Sequence, residues 1–330
     1  MRSPIASIYE LREKIRQLYA RHTLPVQFVL KFLAAFFMLL AINSKAGYVA
    51  SLVSLPVVLV ISAVCCVLPW GMVTGIMCVI LLIHFMKVSF IVALVALVIM
   101  ALMVLVNLIF APACKNVIFF VPVVFLLKIP FVLPLILGLM FPVSSVVPML
   151  FGITLYYLMD YVSSTAGVLS DVTGTSGMSA RYMQLIDGLK DNRTFLVIAA
   201  AFAITVIMVF VIRRFSIDYA HMIATVAGAV TNLVLVLFGV VSSDGTGSMS
   251  AVFVILSSII SGLLAYLLQF MVFTVDYKRT EYTQFEDDEY YYYVKAVPKM
   301  KVAEKEYDMI QILDESSEPN GEQKTEKGLF

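Results

Sequence analysis

At 330 residues, 61% of them hydrophobic and only 14% charged, with a mean hydropathy of +0.97, the chain carries more apolar surface than one water-soluble core can hide. Lysine and arginine nearly balance aspartate and glutamate, and a net charge of +1 gives no bulk field to attract nucleic acid. The charges crowd into residues 1–23, 165–193, the Arg213-Arg214 pair and the tail after 275, so the expected class is an all-α polytopic integral membrane protein.

In chain order, residues 1–23 precede the first apolar run and lack a small-residue cleavage pattern, so they read as a retained leader. Ile5, Ile8, Leu11, Ile15, Leu18 and Tyr19 recur at helical spacing, while Arg12, Lys14, Arg16 and Arg21 supply a basic face. That pattern fits a cytosolic basic amphipathic helix on an anionic leaflet or, equally, a solvated helical leader. Residues 24–274 form the expected transmembrane domain. Its first span is Leu24 to Ile42, followed by the polar break Asn43 to Gly47. The apolar stretch from Tyr48 to Phe110 is roughly three crossings long at about 20 residues each. Breaks at Leu68-Pro69-Trp70-Gly71 and at His84 to Lys87 divide it into spans near 48–68, 71–86 and 88–110.

Val117 to Leu127 and Phe131 to Phe141 are each too short to cross alone, and Lys128-Ile129-Pro130 separates them. They read either as a re-entrant hairpin or as one kinked span. Later spans are expected at 146–161, 195–212, 217–241 and 251–274. Placing the basic leader inside brings Lys115 inside after four crossings, and Lys278 and Arg279 place the tail inside as well. The two counts agree when 117–141 enters and leaves on one side. The expectation is therefore about eight spans plus a hairpin in the plasma membrane, with both termini cytoplasmic.

The segment 163–193 reads as an external surface helix, and its sequon at Asn192 abuts the next span. Ser216, Ala220, Ala224, Gly228 and Asn232 recur every four residues, and Ser258 and Gly262 continue the pattern on the last span. These small residues predict that the last two helices touch; a homo-oligomer contact is the alternative reading of the same ridge. After residue 275, aromatic and β-branched residues flank an acidic turn and predict a β-hairpin, with a disordered end over 314–330. Tyr290, Tyr291, Tyr292 and Tyr293 are candidates to bind a protein partner by strand pairing, or to pack on the ends of the spans.

Ionisable groups at membrane depth are functional candidates by default, and few occur here. Lys31 and Lys87 are placed to snorkel. His84 and His221 each lack a second ligand at metal spacing, and Cys65, Cys66, Cys78 and Cys114 have no disulfide or zinc spacing, so no metal or cofactor is expected. Asp160 and Asp218 sit at span ends and each is followed by tyrosine. Lys128 lies between two half-length apolar segments beside Pro130 and Pro134, where transporters build substrate sites from broken helices. Lys128, Pro130, Pro134, Asp160 and His221 are thus the candidate substrate path, with a hairpin tip near an interface as the plainer reading of Lys128. No hydrolase, P-loop or dinucleotide motif occurs, which disfavours an enzyme.

The run Lys128-Ile129-Pro130-Phe131-Val132-Leu133-Pro134-Leu135-Ile136-Leu137-Gly138-Leu139, continuing through Pro142 to Asp160, resembles a stretch shared by rod-shape-determining protein D and by substrate-binding components of energy-coupling-factor transporters. The resemblance implies a membrane domain that binds a small molecule or scaffolds the envelope, and that works through partners. A transport or permease-type domain for a small apolar or amphipathic solute is the first expectation. A non-enzymatic scaffold of envelope machinery is the second, and a membrane enzyme built on Asp160, His221 and Asp218 the third.

Overall fold

A computed structural model describes residues 4–114, 116–170, 192–215, 217–242, 250–272, 281–286 and 290–296. The expected surface helix beyond Ser170, the acidic turn at 287–289 and the end at 314–330 lie outside the described residues, as do Lys115 and Ser216. The chain is mostly helical. Helix α1 (Pro4–Arg21) leads into α2 (Thr23–Ala46), α3 (Ala50–Val53), α4 (Leu55–Val67), α5 (Trp70–Val88) and α6 (Phe90–Phe110). Then come α7 (Val117–Leu126), α8 (Val132–Met140), α9 (Val146–Ser170), α10 (Arg193–Arg213), α11 (Ala220–Ser242) and α12 (Ala251–Val272), followed by strands β1 (Glu281–Glu286) and β2 (Tyr291–Ala296).

Seven of these helices, α2, α5, α6, α9, α10, α11 and α12, are long and apolar enough to cross a bilayer. Their outer faces are covered with large apolar side chains such as Leu24, Phe90, Ile109 and Phe238, all more than 60% exposed, a surface that only lipid can solvate. The chain is a multi-pass membrane protein. Along α1, Leu11, Ile15, Leu18 and Tyr19 are likewise exposed, whereas Arg12 turns inward. Arg12 Nε donates to the Met271 carbonyl at 3.4 Å and its guanidinium lies 5.3 Å from the Phe270 ring, so the start of the chain meets the end of α12.

The expected span 48–68 is broken at Ser54 (φ −61, ψ 132) into α3 and the 13-residue α4. Pro56 explains the break, because its ring crowds the carbonyl four residues back and it has no N–H to offer that group. The carbonyl in question, on Leu52, instead accepts from Asn43 Nδ2 at 3.1 Å. His84 completes the corner. Its Nδ1 accepts from the Val49 N–H at 3.3 Å, so Nε2 carries the proton and donates to Asn43 Oδ1 at 3.1 Å. Together α3 and α4 run antiparallel to α2, from Asn43 down to Phe28, whose carbonyl takes the Cys66 thiol, and Lys31, which reaches the Leu68 carbonyl. The next break falls at Ser89, not at 84–87, and Ser89 itself keeps both backbone bonds: its N–H reaches Phe85 O and its carbonyl accepts from Ala93.

Contacts between helices give their directions. Helix α7 lies along α9 with numbers rising together, Ile118 and Val121 at Gly152 and Phe125 at Tyr156 and Tyr157. Helix α8 lies along α10 in the same sense, Phe131 against Phe202 and Leu139 at Arg213. Pairs Val209 with Gly228 and Val197 with Gly239 make α11 antiparallel to α10, and Thr225 with Gln269 makes α12 antiparallel to α11. Ser250 and Phe253, at the start of α12, share a cavity with Lys45 at the end of α2 and with Asp160 on α9. So α10 and α12 descend where α2, α7 and α9 ascend, and the chain turns back between α7 and α8, as the hairpin alternative requires.

The four-residue ridge on α11 faces α10 and α8: a Cβ on Gly228 would lie 2.2 Å from Val209 and 2.9 Å from Leu135. Helices α11 and α12 do touch, through the neighbouring row, where Gly262 meets Ala229 and the Thr225 hydroxyl donates to Gln269 Oε1. Strands β1 and β2 pair antiparallel from Glu281 with Ala296 to Glu286 with Tyr291.

Candidate functional site

The hairpin tip is built by helix termination. Helix α7 ends with Lys128 at φ 59, its N–H on the Phe125 carbonyl and the Ile129 N–H on the Val124 carbonyl, the paired bonds of a Schellman motif. That left-handed position is one where glycine is ordinarily preferred, and a side chain there costs on the order of 1–2 kcal/mol. Three contacts hold the tip in place. Ser257 Oγ donates to the Lys128 carbonyl at 2.9 Å, Asn232 Nδ2 to the Phe131 carbonyl at 3.5 Å, and Pro130 is buried beneath it.

The two arms of the hairpin are anchored differently. In α7, Pro122 leaves the Ile118 carbonyl without its helical donor, and Gly152 brings α9 so close that an added Cβ would lie 2.7 Å from that oxygen. In α8, Pro134 is the third residue of the helix, where an N–H has no intrahelical acceptor, so it is accommodated at no hydrogen-bond cost. The far end of α8 is capped by Arg213, which donates to the carbonyls of Leu139 and, at 2.8 Å, Phe141. A guanidinium at a helix C-terminus answers both the free carbonyls and the negative end of the dipole.

Over the tip lies a cavity of about 470 Å³, within the usual size of a small-molecule site. Lys45, Lys128, Asp160, Tyr156 and Phe125 line it, with Ser250 and Phe253 at its rim. The Lys45 ammonium forms an ion pair with the Asp160 carboxylate and sits 5.4 Å from the Tyr156 ring centroid. Stacking of Phe125 on Tyr156 at 4.2 Å, with Tyr157 edge-on between Phe125 and Phe195, makes a continuous aromatic wall. Such a site combines a charged floor with an apolar side, which suits a molecule having one polar end and one greasy end.

Of the sequence candidates, Lys128, Pro130 and Asp160 are brought together here. Asp160 lies ten residues before the end of α9, level with Lys45 at the end of α2, and its carboxylate lines the cavity over the hairpin tip. Pro134 is packed inside α8 and does not line the cavity. His221 starts α11, eleven positions and about 16 Å along the helix from Asn232, so it does not join the site, and the constellation of Asp160, His221 and Asp218 is not formed. Among the described residues no group of His, Cys, Asp and Glu has metal-site geometry. Tyr290, Tyr291, Tyr292 and Tyr293 stand exposed beside or on β2. Lys45, Tyr156 and Tyr157 were not legible as site residues. The available signal was depth: Lys45 ends the first span and Asp160 follows an ascending one, which puts opposite charges at one level.

The chain matches no protein-family model, no curated protein and no solved structure, so the likeness of residues 128–160 to rod-shape-determining protein D and energy-coupling-factor components rests on those residues alone.

Proposed function

We propose that this chain is a transport or permease-type membrane domain that takes up a small apolar or amphipathic solute at the cavity over the α7–α8 tip and works with partners. The carrying observation is a pair of half-length helices whose broken tip, short of a full crossing, faces a polar cavity. Irregular backbone at membrane depth is stable only where protein or a hydrated space satisfies it, and such places bind substrate in transporters. In this reading the chain crosses the plasma membrane eight times, α7 and α8 dip in from the cytoplasmic face, and both termini are cytoplasmic. Support comes from the basic residues of α1 and the Arg213-Arg214 pair, which gather at one end of the bundle, opposite Lys45 and Ser250. No residue is assigned a catalytic role. In intact cells, Lys128→Cys should react with a membrane-impermeant maleimide added from outside; complete protection of that thiol from aqueous reagents on both faces would overturn the proposal.

A second reading, an accessory scaffold of envelope machinery, draws on the tyrosine-bearing strand. Tyr291 and Tyr293 are 68% and 78% exposed, and an aromatic edge strand is suited to strand pairing with another protein. Deletion of residues 280–330 should then abolish partner co-purification while membrane insertion persists. Retention of every partner by the truncated chain would remove this reading.

A further inference from the structure

The geometry points to an anionic headgroup, a carboxylate or phosphate carried on a single apolar tail, as the group bound at the Lys128 tip. This rests on the solute-binding reading above and names its ligand class. Among the described residues, two ammonium groups and one carboxylate line the cavity. Lys45 is neutralised by Asp160. Lys128 is therefore left as the excess positive charge, exposed in the cavity and without an acidic partner among the described residues.

Three further features favour an anion over a neutral or cationic head. The tip keeps lysine at a left-handed position that glycine occupies more easily, and strain of this kind is retained where the side chain is needed. Its carbonyl accepts from Ser257, and its ammonium, a donor with no acceptor capacity, suits a ligand oxygen that carries negative charge. A cation would face two lysines and a carboxylate that is already paired. The aromatic wall of Phe125 and Tyr156, with Phe253 at the rim, then gives the tail an apolar surface directly beside the charged floor. Carboxylates and phosphate monoesters share this chemistry, and both occur on membrane-derived single-chain amphiphiles.

The test uses the full-length chain in lipid nanodiscs with a Ser250→Cys reporter at the rim, read as its rate of maleimide labelling against the parent chain as blank. Dodecanoate and dodecyl phosphate should slow labelling at least tenfold, and their ratio tells which anion is preferred. Dodecanol and dodecyltrimethylammonium should leave the rate within twofold. K128Q should abolish protection by the anions, and K128R should keep it, which separates loss of charge from loss of fold. Equal protection by dodecanol, or anion protection that survives K128Q, overturns the headgroup assignment while the solute-binding reading stands. Absence of protection by every amphiphile in a chain whose Lys128→Cys variant still labels also overturns the assignment, whereas failure of that variant to label removes the solute-binding reading beneath it.

Discussion

Lys128 holds two opposed properties at one residue, a backbone conformation that favours glycine and a charge at the floor of a cavity. If the side chain serves ligand rather than fold, removing it should not harm stability. Lys128→Gly relieves about 1–2 kcal/mol of left-handed strain and returns about 0.5–1 kcal/mol through greater freedom of the unfolded chain. Its melting temperature in detergent is expected to be equal to or slightly above that of the parent, while Lys128→Val, β-branched at φ 59, should melt lower by the equivalent of about 1–2 kcal/mol. A clear loss of stability in Lys128→Gly would mean that the ammonium is a structural group. Other polar residues have the reverse balance. Asn43 and His84 serve the backbone broken by Pro56, and Arg213 serves the end of α8, so their polarity is spent on the fold.

Between elements, close approach decides which helices hold the hairpin. Gly152 lets α9 press on α7, and a Cβ there would lie 2.4 Å from Val121 Cγ2 and 2.7 Å from the Ile118 oxygen, a backbone atom that cannot move aside cheaply. Gly75 on α5 is the internal control, since nothing lies within 4 Å of the corresponding point. Gly152→Ala is expected to cost about 1–3 kcal/mol of stability through overpacking, and Gly75→Ala to be neutral or stabilising by up to about 1 kcal/mol from helix propensity. Thermal unfolding of the two variants checks this, and equal behaviour would show that α7 and α9 are not in tight contact. The broken span at 50–67 carries a similar lesson. It is uncharged and mostly apolar, yet Pro56 divides it because backbone geometry, not hydropathy, determines whether a helix continues.

For the molecule as a whole, the directions of the helices make a prediction about sides. His22 and Arg214 gather at the end of the bundle where α1 meets α12, and Asn192 and Ser250 at the other. Cysteines introduced at Asn192 and Ser250 should label from outside in intact cells, and those at His22 and Arg214 only after permeabilisation. Labelling of His22→Cys and Ser250→Cys from the same face would contradict the helix order. The two orientations differ in which face the cavity opens to, so this experiment also fixes the direction from which solute reaches Lys128.

By itself the sequence determined the class, because long uncharged stretches have one stable solvent, and it located most helices, because lipid forces every such stretch to satisfy its backbone internally. It also marked the half-length pair around Lys128, since about 11 residues cannot span hydrocarbon, and the paired strands at 281–296, since aromatic and β-branched residues flank an acidic stretch. The charge count favoured a reversal of the chain at the tip, and the tertiary structure chose it over a kinked span; the pairing of Lys45 with Asp160 and the aromatic wall were decided only by tertiary structure. Those features depend on which helices are neighbours and at what depth their residues meet. A run of uniformly apolar residues leaves that open, because against lipid one greasy face is as good as another until glycines, prolines and a few polar groups select the contact.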